Sequence, residues 1–257
     1  MNIEIKPIPA FRDNYIWTLI NRDNQSAVCV DPGDAEPVIA ILAQEDLKLT
    51  AILITHHHWD HTNGIKKLVK HFQAPVFGPH KEAIPKLTHP LQEGDEITLD
   101  ELDLSLTVLE IPGHTLGHIA FTNQKLVFCG DTLFTAGCGR IFEGTVDQMY
   151  NSLQKLSRLP EETLVYCGHE YTEANLNFAM AVEPQNQAIQ KRLQQVRQQR
   201  QQKQATVPAT LQVEHLTNPF LRTEQQSVKE AAERITDKQL ATPMDVFSTI
   251  RQWKDRF

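Results

Sequence analysis

The feature that most constrains this chain is a dense group of metal-binding side chains directly after an apolar run. Ala51–Ile54 predicts a short buried strand, and the seven residues that follow it read THHHWDH. His56 and His58 are two residues apart, so in an extended backbone their side chains point to the same side. Asp60 and His61 come at the start of the next predicted helix. One metal ion rarely needs four such groups, whereas two neighbouring ions would, so the run predicts part of a dinuclear centre.

Three more candidate ligands share one local pattern, in which an apolar run is followed by a glycine and then by a histidine or an aspartate. They are His114 in IPGHT, Asp131 in CGDT and His169 in CGHE. Glycine allows the sharp turns that bring side chains from several strand ends together. Each residue alone would be interpreted as a turn or cap residue, but beside the histidine-rich run all three become ligand candidates. Imidazole and carboxylate groups without thiolates suit zinc, iron or manganese.

Side chains next to these candidates are expected to have supporting roles. His57 lies between two candidate ligands and should point away from them, and His118 should support the loop that carries His114. Cys138 and Cys167 are expected to be small buried packing residues. The sequence has no GxSxG elbow, no HExxH helix and no Walker loop, so its motifs indicate a metal centre of a different kind.

Short apolar runs broken by turns alternate with helical patterns over the first two thirds of the chain, which predicts an α/β domain. The predicted strands are Ile3–Ile8, Tyr15–Ile20, Ala27–Val30, Ala51–Ile54, Pro75–Phe77, Leu104–Ile111, Ile119–Thr122, Leu126–Cys129 and Thr163–Tyr166. The predicted helices of this part are Glu36–Glu45, Thr62–Phe72 and Val146–Leu156. With 257 residues, of which 40% are hydrophobic, the chain can bury a full core.

Helical patterns replace the strand-like runs after about Tyr171. They cover Glu173–Val182, Gln185–Gln204, Gln225–Ile235 and Pro243–Lys254. We therefore predict two domains, with residues 1–172 as the catalytic α/β domain and residues 173–257 as a small helical domain. Gln185–Gln204 holds ten glutamines and five basic residues but no acidic residue. This segment is either a helix that binds nucleic acid or an exposed helix whose apolar stripe packs inward, and the second interpretation is favoured.

The charge of the whole chain argues against one class of partner. Lys and Arg total 25 and Asp and Glu total 32, and the resulting net charge of -7 speaks against a nucleic-acid protein held by bulk charge.

The N-terminus lacks a basic start with an apolar run, so no signal peptide is expected, and no apolar stretch approaches a membrane span. The four cysteines are scattered, which favours the cytoplasm. We expect a monomer with a small-molecule substrate.

The order and spacing of these motifs resemble a known superfamily. THHHWDH followed by GHTLGH, GDTLF and CGHEYT resembles the metallo-β-lactamase superfamily. AGCGRIFEGT, GHEYTEANLNFA, TVPATL, NPFLR and the closing IRQWKDRF resemble its glyoxalase II family, and the resemblance runs nearly end to end. It implies an αβ/βα sandwich with metal ions at one edge, followed by a small C-terminal all-helical domain that binds substrate.

The resemblance also implies a role for each candidate residue. The implied ligands of the first metal ion are His56, His58 and His114, those of the second are Asp60, His61 and His169, and the bridging carboxylate is Asp131. The residues implied to contact the glutathione part of the substrate are Arg140, Phe142, Tyr171, Arg251 and Lys254. Animal members carry tyrosine at position 142, so Phe142 lacks the hydroxyl that they have. They carry lysine at position 140, so Arg140 keeps the positive charge but presents it with a different geometry.

The implied reaction is hydrolysis of S-lactoylglutathione and related S-2-hydroxyacylglutathiones to glutathione and D-lactate, the second step of methylglyoxal detoxification. A metal-bridged hydroxide would attack the thioester carbonyl, with Asp60 and Asp131 as the catalytic residues. Two divalent ions per chain are expected, zinc ahead of iron or manganese.

Other functions could use similar ligands. A phosphodiesterase or a lactonase would need the same dinuclear centre, because phosphoryl and acyl transfer both use an activated hydroxide. A mononuclear iron oxygenase would keep His56, His114 and Asp131 alone as ligands, and the intact HWDH run argues against it. A non-catalytic module would have a closed site of four ligands, often thiolates, which this chain does not predict.

Overall fold

Two compact units make up the part of the chain that the structure describes, residues 3–257 of a computed structural model. The first unit consists of the residues up to 110 together with 115–130. The second consists of 111–114 together with 131–257. The chain therefore leaves the first unit for a short stretch and returns to it before it passes finally into the second.

β-Sheets form the framework of the first unit. One sheet contains, in this spatial order, β1 (Ile3–Ala10), β2 (Asn14–Asn21), β3 (Ser26–Val30), β4 (Lys48–Leu53), β5 (Val76–Pro79) and β6 (His89–Leu91). β1, β2 and β3 pair antiparallel, whereas β3 to β6 pair in parallel. Antiparallel neighbours elsewhere in the unit are β7 (Glu96–Leu99), β8 (Leu104–Glu110), β9 (Ile119–Thr122) and β10 (Leu126–Gly130).

The first unit also contains helices, two of which pack apolar residues at helical spacing into the core of the first sheet. The helices are α1 (Ala35–Gln44), α2 (Trp59–Thr62) and α3 (Ile65–Phe72). Val38 and Leu42 of α1 and Ile65 and Leu68 of α3 are fully buried and share one core with Ile52 of β4. Since β4 precedes the histidine-rich run and α3 follows it, this core anchors the run at both ends.

The second unit is mostly helical. Its helices are α4 (Val146–Ser157), α5 (Thr172–Val182), α6 (Gln187–Gln201), α7 (Leu211–Thr217), α8 (Gln226–Thr236) and α9 (Pro243–Lys254). Its short strands are β11 (Leu133–Phe134) and β12 (Gly137–Cys138), which form a hairpin, and β13 (Leu164–Cys167) and β14 (Ala209–Thr210), which pair antiparallel. Within residues 3–257, none of the helices combines the length and the apolar character that a membrane crossing needs.

The glutamine-rich segment forms α6, and its apolar stripe packs inward as predicted. Ile189, Leu193 and Val196 are buried in one cluster with Leu176 and Ala179 of α5. The polar residues of α6 therefore need no nucleic acid to explain them, because they cover the outer side of an ordinary amphipathic helix.

The helix predicted over Thr62–Phe72 is present as α3 but begins at Ile65, because α2 and α3 are separate. The Gly64 backbone N–H donates to the Pro32 carbonyl (3.0 Å) instead of continuing α2. A Cβ at position 64 would lie 2.4 Å from that same oxygen, so the chain passes too close for a larger residue. Further elements for which no prediction was made are β6, β7, β11, β12, β14 and α7.

Candidate active site

The histidine-rich run follows β4 and continues into α2, so the first unit brings four predicted ligands together. The ring centroids of His56 and His58 are 4.8 Å apart, and those of His56 and His61 are 4.2 Å apart. Asp60 Oδ2 lies 3.6 Å from His61 Nε2 and accepts a hydrogen bond from Asn14 Nδ2 (3.0 Å). Asn14 thus orients the Asp60 carboxylate from the neighbouring β-hairpin.

Asp31, which follows the predicted strand Ala27–Val30, joins this group although it was not among the candidate ligands. Asp31 Oδ1 accepts from the Thr55 backbone N–H (2.8 Å), and Oδ2 accepts from Thr55 Oγ1 (2.7 Å). Asp31 Oδ2 also lies 3.1 Å from His61 Nδ1. A carboxylate at Nδ1 leaves the Nε2 lone pair of His61 for a metal ion. The missed signal was its position, since Asp31 follows an apolar strand as the other candidates do.

Gly130 is required where β10 passes the start of the histidine-rich run. Its φ is +47°, and a Cβ there would lie 2.3 Å from Thr55 Oγ1 and 2.8 Å from His118 Nε2. The His118 ring stacks on His56 at 4.6 Å with an interplanar angle of 14°. His118 therefore supports the candidate ligand His56, whereas its predicted role was to support the loop that carries His114.

The second unit brings its three predicted ligands together around one carboxylate. Asp131 Oδ2 lies 3.2 Å from His169 Nε2 and 3.6 Å from His114 Nε2, and all three side chains are buried. His114 Nδ1 faces the Arg140 carbonyl at 2.7 Å. If Nδ1 donates to that carbonyl, Nε2 keeps its lone pair toward the Asp131 side.

These donor sets fit a metal ion. Ligand atoms about 2.0–2.1 Å from a tetrahedral ion lie roughly 3.3 Å from one another. In the second unit the separations from Asp131 Oδ2 are 3.2 and 3.6 Å, and in the first unit Asp60 Oδ2 and His61 Nε2 are 3.6 Å apart. Each unit therefore presents a histidine and aspartate cluster of the composition that binds divalent metals.

Aromatic and basic side chains flank the ligands of the second unit. The Tyr171 ring stacks on His169 at 4.7 Å with an interplanar angle of 5°. Phe142 is 60% exposed, its ring centre lies 5.2 Å from that of His114 in a T-shaped arrangement, and the Arg140 guanidinium lies 5.5 Å from the Phe142 ring centre. An exposed aromatic ring and a cation beside the ligands form a surface on which a substrate with carboxylates could rest.

Arg251 and Lys254 lie on the same side of α9 but in different environments. Arg251 is only 6% exposed, and its guanidinium donates to the Cys138 carbonyl (2.9 Å) and to Asp255 Oδ1 (3.1 Å). Lys254 Nζ lies 5.1 Å from the centre of the Phe178 ring. Burial, followed by the charge of Arg251, lowers the Lys254 pKa from its ordinary value. Arg251 therefore braces the end of the β11–β12 hairpin, whereas Lys254 is more accessible.

The cysteines near the ligands remain ordinary packing residues. Cys138 and Cys167 are buried and are free thiols. Burial raises the pKa of Cys138, and it raises that of Cys167 to about 12. Their burial agrees with the predicted role of small packing residues.

Two family models match this chain, and the boundary between them directly follows the last candidate ligand, His169. A family model described as the metallo-β-lactamase superfamily matches residues 15–169, and one described as the hydroxyacylglutathione hydrolase C-terminus matches residues 170–257. Proteins named hydroxyacylglutathione hydrolase match over nearly their whole length. That of Nitrosomonas europaea is 51% identical over 99% of this chain and 97% of its own, and that of Vibrio cholerae is 52% identical over 99% and 100%.

Solved structures share the fold. ETHE1 from Myxococcus xanthus superposes with a TM-score of 0.66 and 26% identity over 99% of this chain and 98% of its own. TTHA1623, solved in a di-iron-bound form, has a TM-score of 0.59 and 26% identity over 85% of this chain and 100% of its own. The predicted fold class is thereby confirmed. With the full-length matches at about half identity, the chain belongs to the hydroxyacylglutathione hydrolase, or glyoxalase II, family of metallo-β-lactamase-fold thioester hydrolases.

Proposed function

We propose that the protein hydrolyses S-D-lactoylglutathione, and related S-2-hydroxyacylglutathiones, to glutathione and the free 2-hydroxy acid. The observation that carries the proposal is that both ligand clusters of this fold occur here in a chain that matches hydroxyacylglutathione hydrolases end to end. With D-lactate as the product, the reaction would be the second step of methylglyoxal detoxification. The enzyme would act in the cytoplasm, as free cysteines favour, and as a monomer.

The proposed ligand sets combine residues of the two clusters. One metal ion would be held by His56, His58 and His114, the other by Asp60, His61 and His169, with Asp131 shared between them. Support comes from Asp131 Oδ2, which already faces two imidazole nitrogens in the second unit. The family models meet between residues 169 and 170, which supports a catalytic domain over 1–172 and a helical domain over 173–257.

Two divalent ions, for which we propose zinc ahead of iron or manganese, would supply an activated hydroxide and polarise the thioester carbonyl when bound. The chain's own residues supply positioning and proton transfer. Asp60, which accepts a hydrogen bond from Asn14 Nδ2, would accept a proton from the attacking water. The departing thiol has a pKa of roughly 8.5, so it leaves as a thiolate with little help from an acid.

The glutathione part of the substrate is proposed to lie against the aromatic and basic surface of the second unit. Arg140 and Lys254 would attract its carboxylates, and Phe142 and Tyr171 would contact its backbone. Arg251 is buried and donates a hydrogen bond to the Cys138 carbonyl. Its contribution to substrate binding would therefore depend on the position of the β11–β12 hairpin as well as on its charge. Phe142 offers ring contact without the hydroxyl of animal members.

Replacing Lys254 with alanine is expected to raise KM for S-lactoylglutathione by roughly ten- to hundredfold, with a smaller change in kcat. The reason is that a cation remote from the reacting carbonyl binds the ground state and the transition state alike. Steady-state kinetics of thioester loss would measure both constants. Lys238→Ala removes an exposed lysine from the loop after α8 and should leave KM unchanged. Equal KM values in the Lys254 variant and the parent would remove Lys254 from the substrate site.

The proposed activity is tested by hydrolysis of S-lactoylglutathione with purified, metal-loaded protein and with a chelator-treated sample. We expect turnover that is lost on metal removal and restored when zinc or manganese is added. No turnover by a demonstrably metal-loaded sample would contradict the proposed substrate. A phosphodiester or a lactone hydrolysed in its place would point to the alternative reactions of this fold.

A further inference from the structure

Glu82 lies outside every proposed ligand and substrate residue, yet its carboxylate is enclosed beside the ligand segments of the first unit. It comes from the segment between β5 and β6, which follows the sheet that supports the histidine-rich run. Its side chain is only 3% exposed. A carboxylate is costly to bury unless donors surround it, so the contacts of Glu82 must compensate for lost hydration.

The two carboxylate oxygens of Glu82 face different segments, Oε1 through hydrogen bonds and Oε2 through a close contact that lacks hydrogen-bond geometry. Oε2 lies 3.1 Å from Nδ1 of His57, the residue between two proposed ligands. Oε1 accepts from the Thr115 hydroxyl and from the Gly117 backbone N–H (3.0 Å), and Thr115 follows His114 directly in the chain. Glu82 therefore ties the histidine-rich run to the segment that begins after His114.

The Glu82 side chain is closely packed and has little room to change its conformation. A Cβ at Gly117 would lie 2.5 Å from Glu82 Cγ, so the loop backbone rests directly against the Glu82 side chain. The His57 ring presents Nδ1 to Glu82 Oε2. Because His57 lies between His56 and His58, fixing its ring also restricts the backbone from which both neighbouring imidazoles project.

We propose that Glu82 is a positioning residue for the metal centre, which holds the histidine-rich run and the Thr115–Gly117 loop in the arrangement that binds metal. The inference rests on the ligands proposed above. A residue that only stabilised the loop after β5 would affect folding of the metal-free and metal-bound protein alike. A positioning residue changes the rate at which metal leaves, because loosened ligands release an ion more easily.

The test compares zinc dissociation into a chromophoric chelator for the parent, Glu82→Ala, Glu82→Gln and the control Glu96→Gln. Glu96 is an exposed carboxylate of the same unit and should behave as the parent does. We expect Glu82→Ala to release zinc about ten- to a hundredfold faster. Glu82→Gln should be intermediate, because its amide oxygen can still accept from Thr115 and Gly117. If Glu82→Ala does not fold, two milder variants still test the role of Glu82. Glu82→Gln weakens the contact with His57, and Thr115→Val removes the hydrogen bond to Oε1.

The second measurement is the increase in unfolding free energy that zinc produces in each variant. We expect a smaller increase for the Glu82 variants than for the parent, with KM for the thioester unchanged once zinc is saturating. Parental zinc release from both Glu82→Gln and Thr115→Val would overturn the positioning role. A parent that binds zinc but does not hydrolyse the thioester overturns the proposed substrate alone, and a parent that binds no zinc overturns the centre and this inference together.

Discussion

Replacing Asp131 with asparagine is expected to remove at least one metal ion per chain and to lower kcat by at least about a hundredfold. Asp131 Oδ2 faces His169 Nε2 at 3.2 Å and His114 Nε2 at 3.6 Å, which places it at the centre of the second unit's cluster. An amide keeps the shape of the side chain but loses the negative charge, and it offers one oxygen in place of two. A neutral amide therefore binds divalent ions more weakly than the carboxylate that it replaces.

Metal content per chain and kcat, measured on the same preparation, would check this expectation. Asp237→Asn is the matched control, because Asp237 is exposed at the end of α8 and its left-handed φ of +53° suits asparagine equally well. The control should retain parental metal content and turnover. Full metal content and normal turnover in the Asp131 variant would exclude Asp131 from the centre.

The ligand candidates could be predicted from the sequence because each depends on local chemistry. A strand followed by a glycine and a histidine or aspartate is visible in a few residues, and His114, Asp131 and His169 all follow that pattern. The main strands and helices were predicted for the same reason, since their periodicity is contained in short windows. Their ends moved by a few residues where caps and close backbone approaches intervene, as at Gly64.

Two of the supporting residues, Glu82 and Asp31, could not be predicted, because their partners are distant in the chain. Glu82 has no motif of its own, and its role follows only from contacts with His57 and Thr115. Asp31 lies outside every motif singled out in the sequence, and only the structure shows it against His61. Elements as short as β11 and β12 lack any periodic signal, and they exist because tertiary hydrogen bonds hold them.

Glu214 of α7 shows how such a short element is held. Its side chain is fully buried, and Oε2 accepts from the Ala136 backbone N–H (2.8 Å) and from Asn218 Nδ2 (3.0 Å). Asn218 Nδ2 also lies within hydrogen-bonding distance of the carbonyls of Phe134 (3.1 Å) and Gly137 (2.9 Å), so the β11–β12 hairpin rests on this pair. Burial raises the Glu214 pKa from 4.5 to about 7, while the hydrogen bonds from Ala136 and Asn218 oppose that rise.

This raised pKa makes the stability of the protein depend on pH in a defined direction. Between 4.5 and about 7 the folded state binds a proton at Glu214 that the unfolded state has released, so stability falls as pH rises. From pH 5 to pH 8 the contribution lost is about 2 to 3 kcal/mol. Glu214→Gln removes this titration, because glutamine is neutral throughout and its oxygen can still accept from Ala136.

The free energy of unfolding of Glu214→Gln, relative to the parent at equal metal loading, is therefore expected to rise by about 2 to 3 kcal/mol between pH 5 and pH 8. Urea denaturation at both pH values would measure it, and taking the difference between proteins cancels the titration of the histidines that they share. Glu224→Gln replaces an exposed carboxylate near the start of α8 and should show no such change. A constant difference between Glu214→Gln and the parent would mean that Glu214 titrates as an ordinary carboxyl. The hairpin beside the proposed bridging carboxylate would then rest on a charged group at neutral pH, and not on one that is about half protonated there.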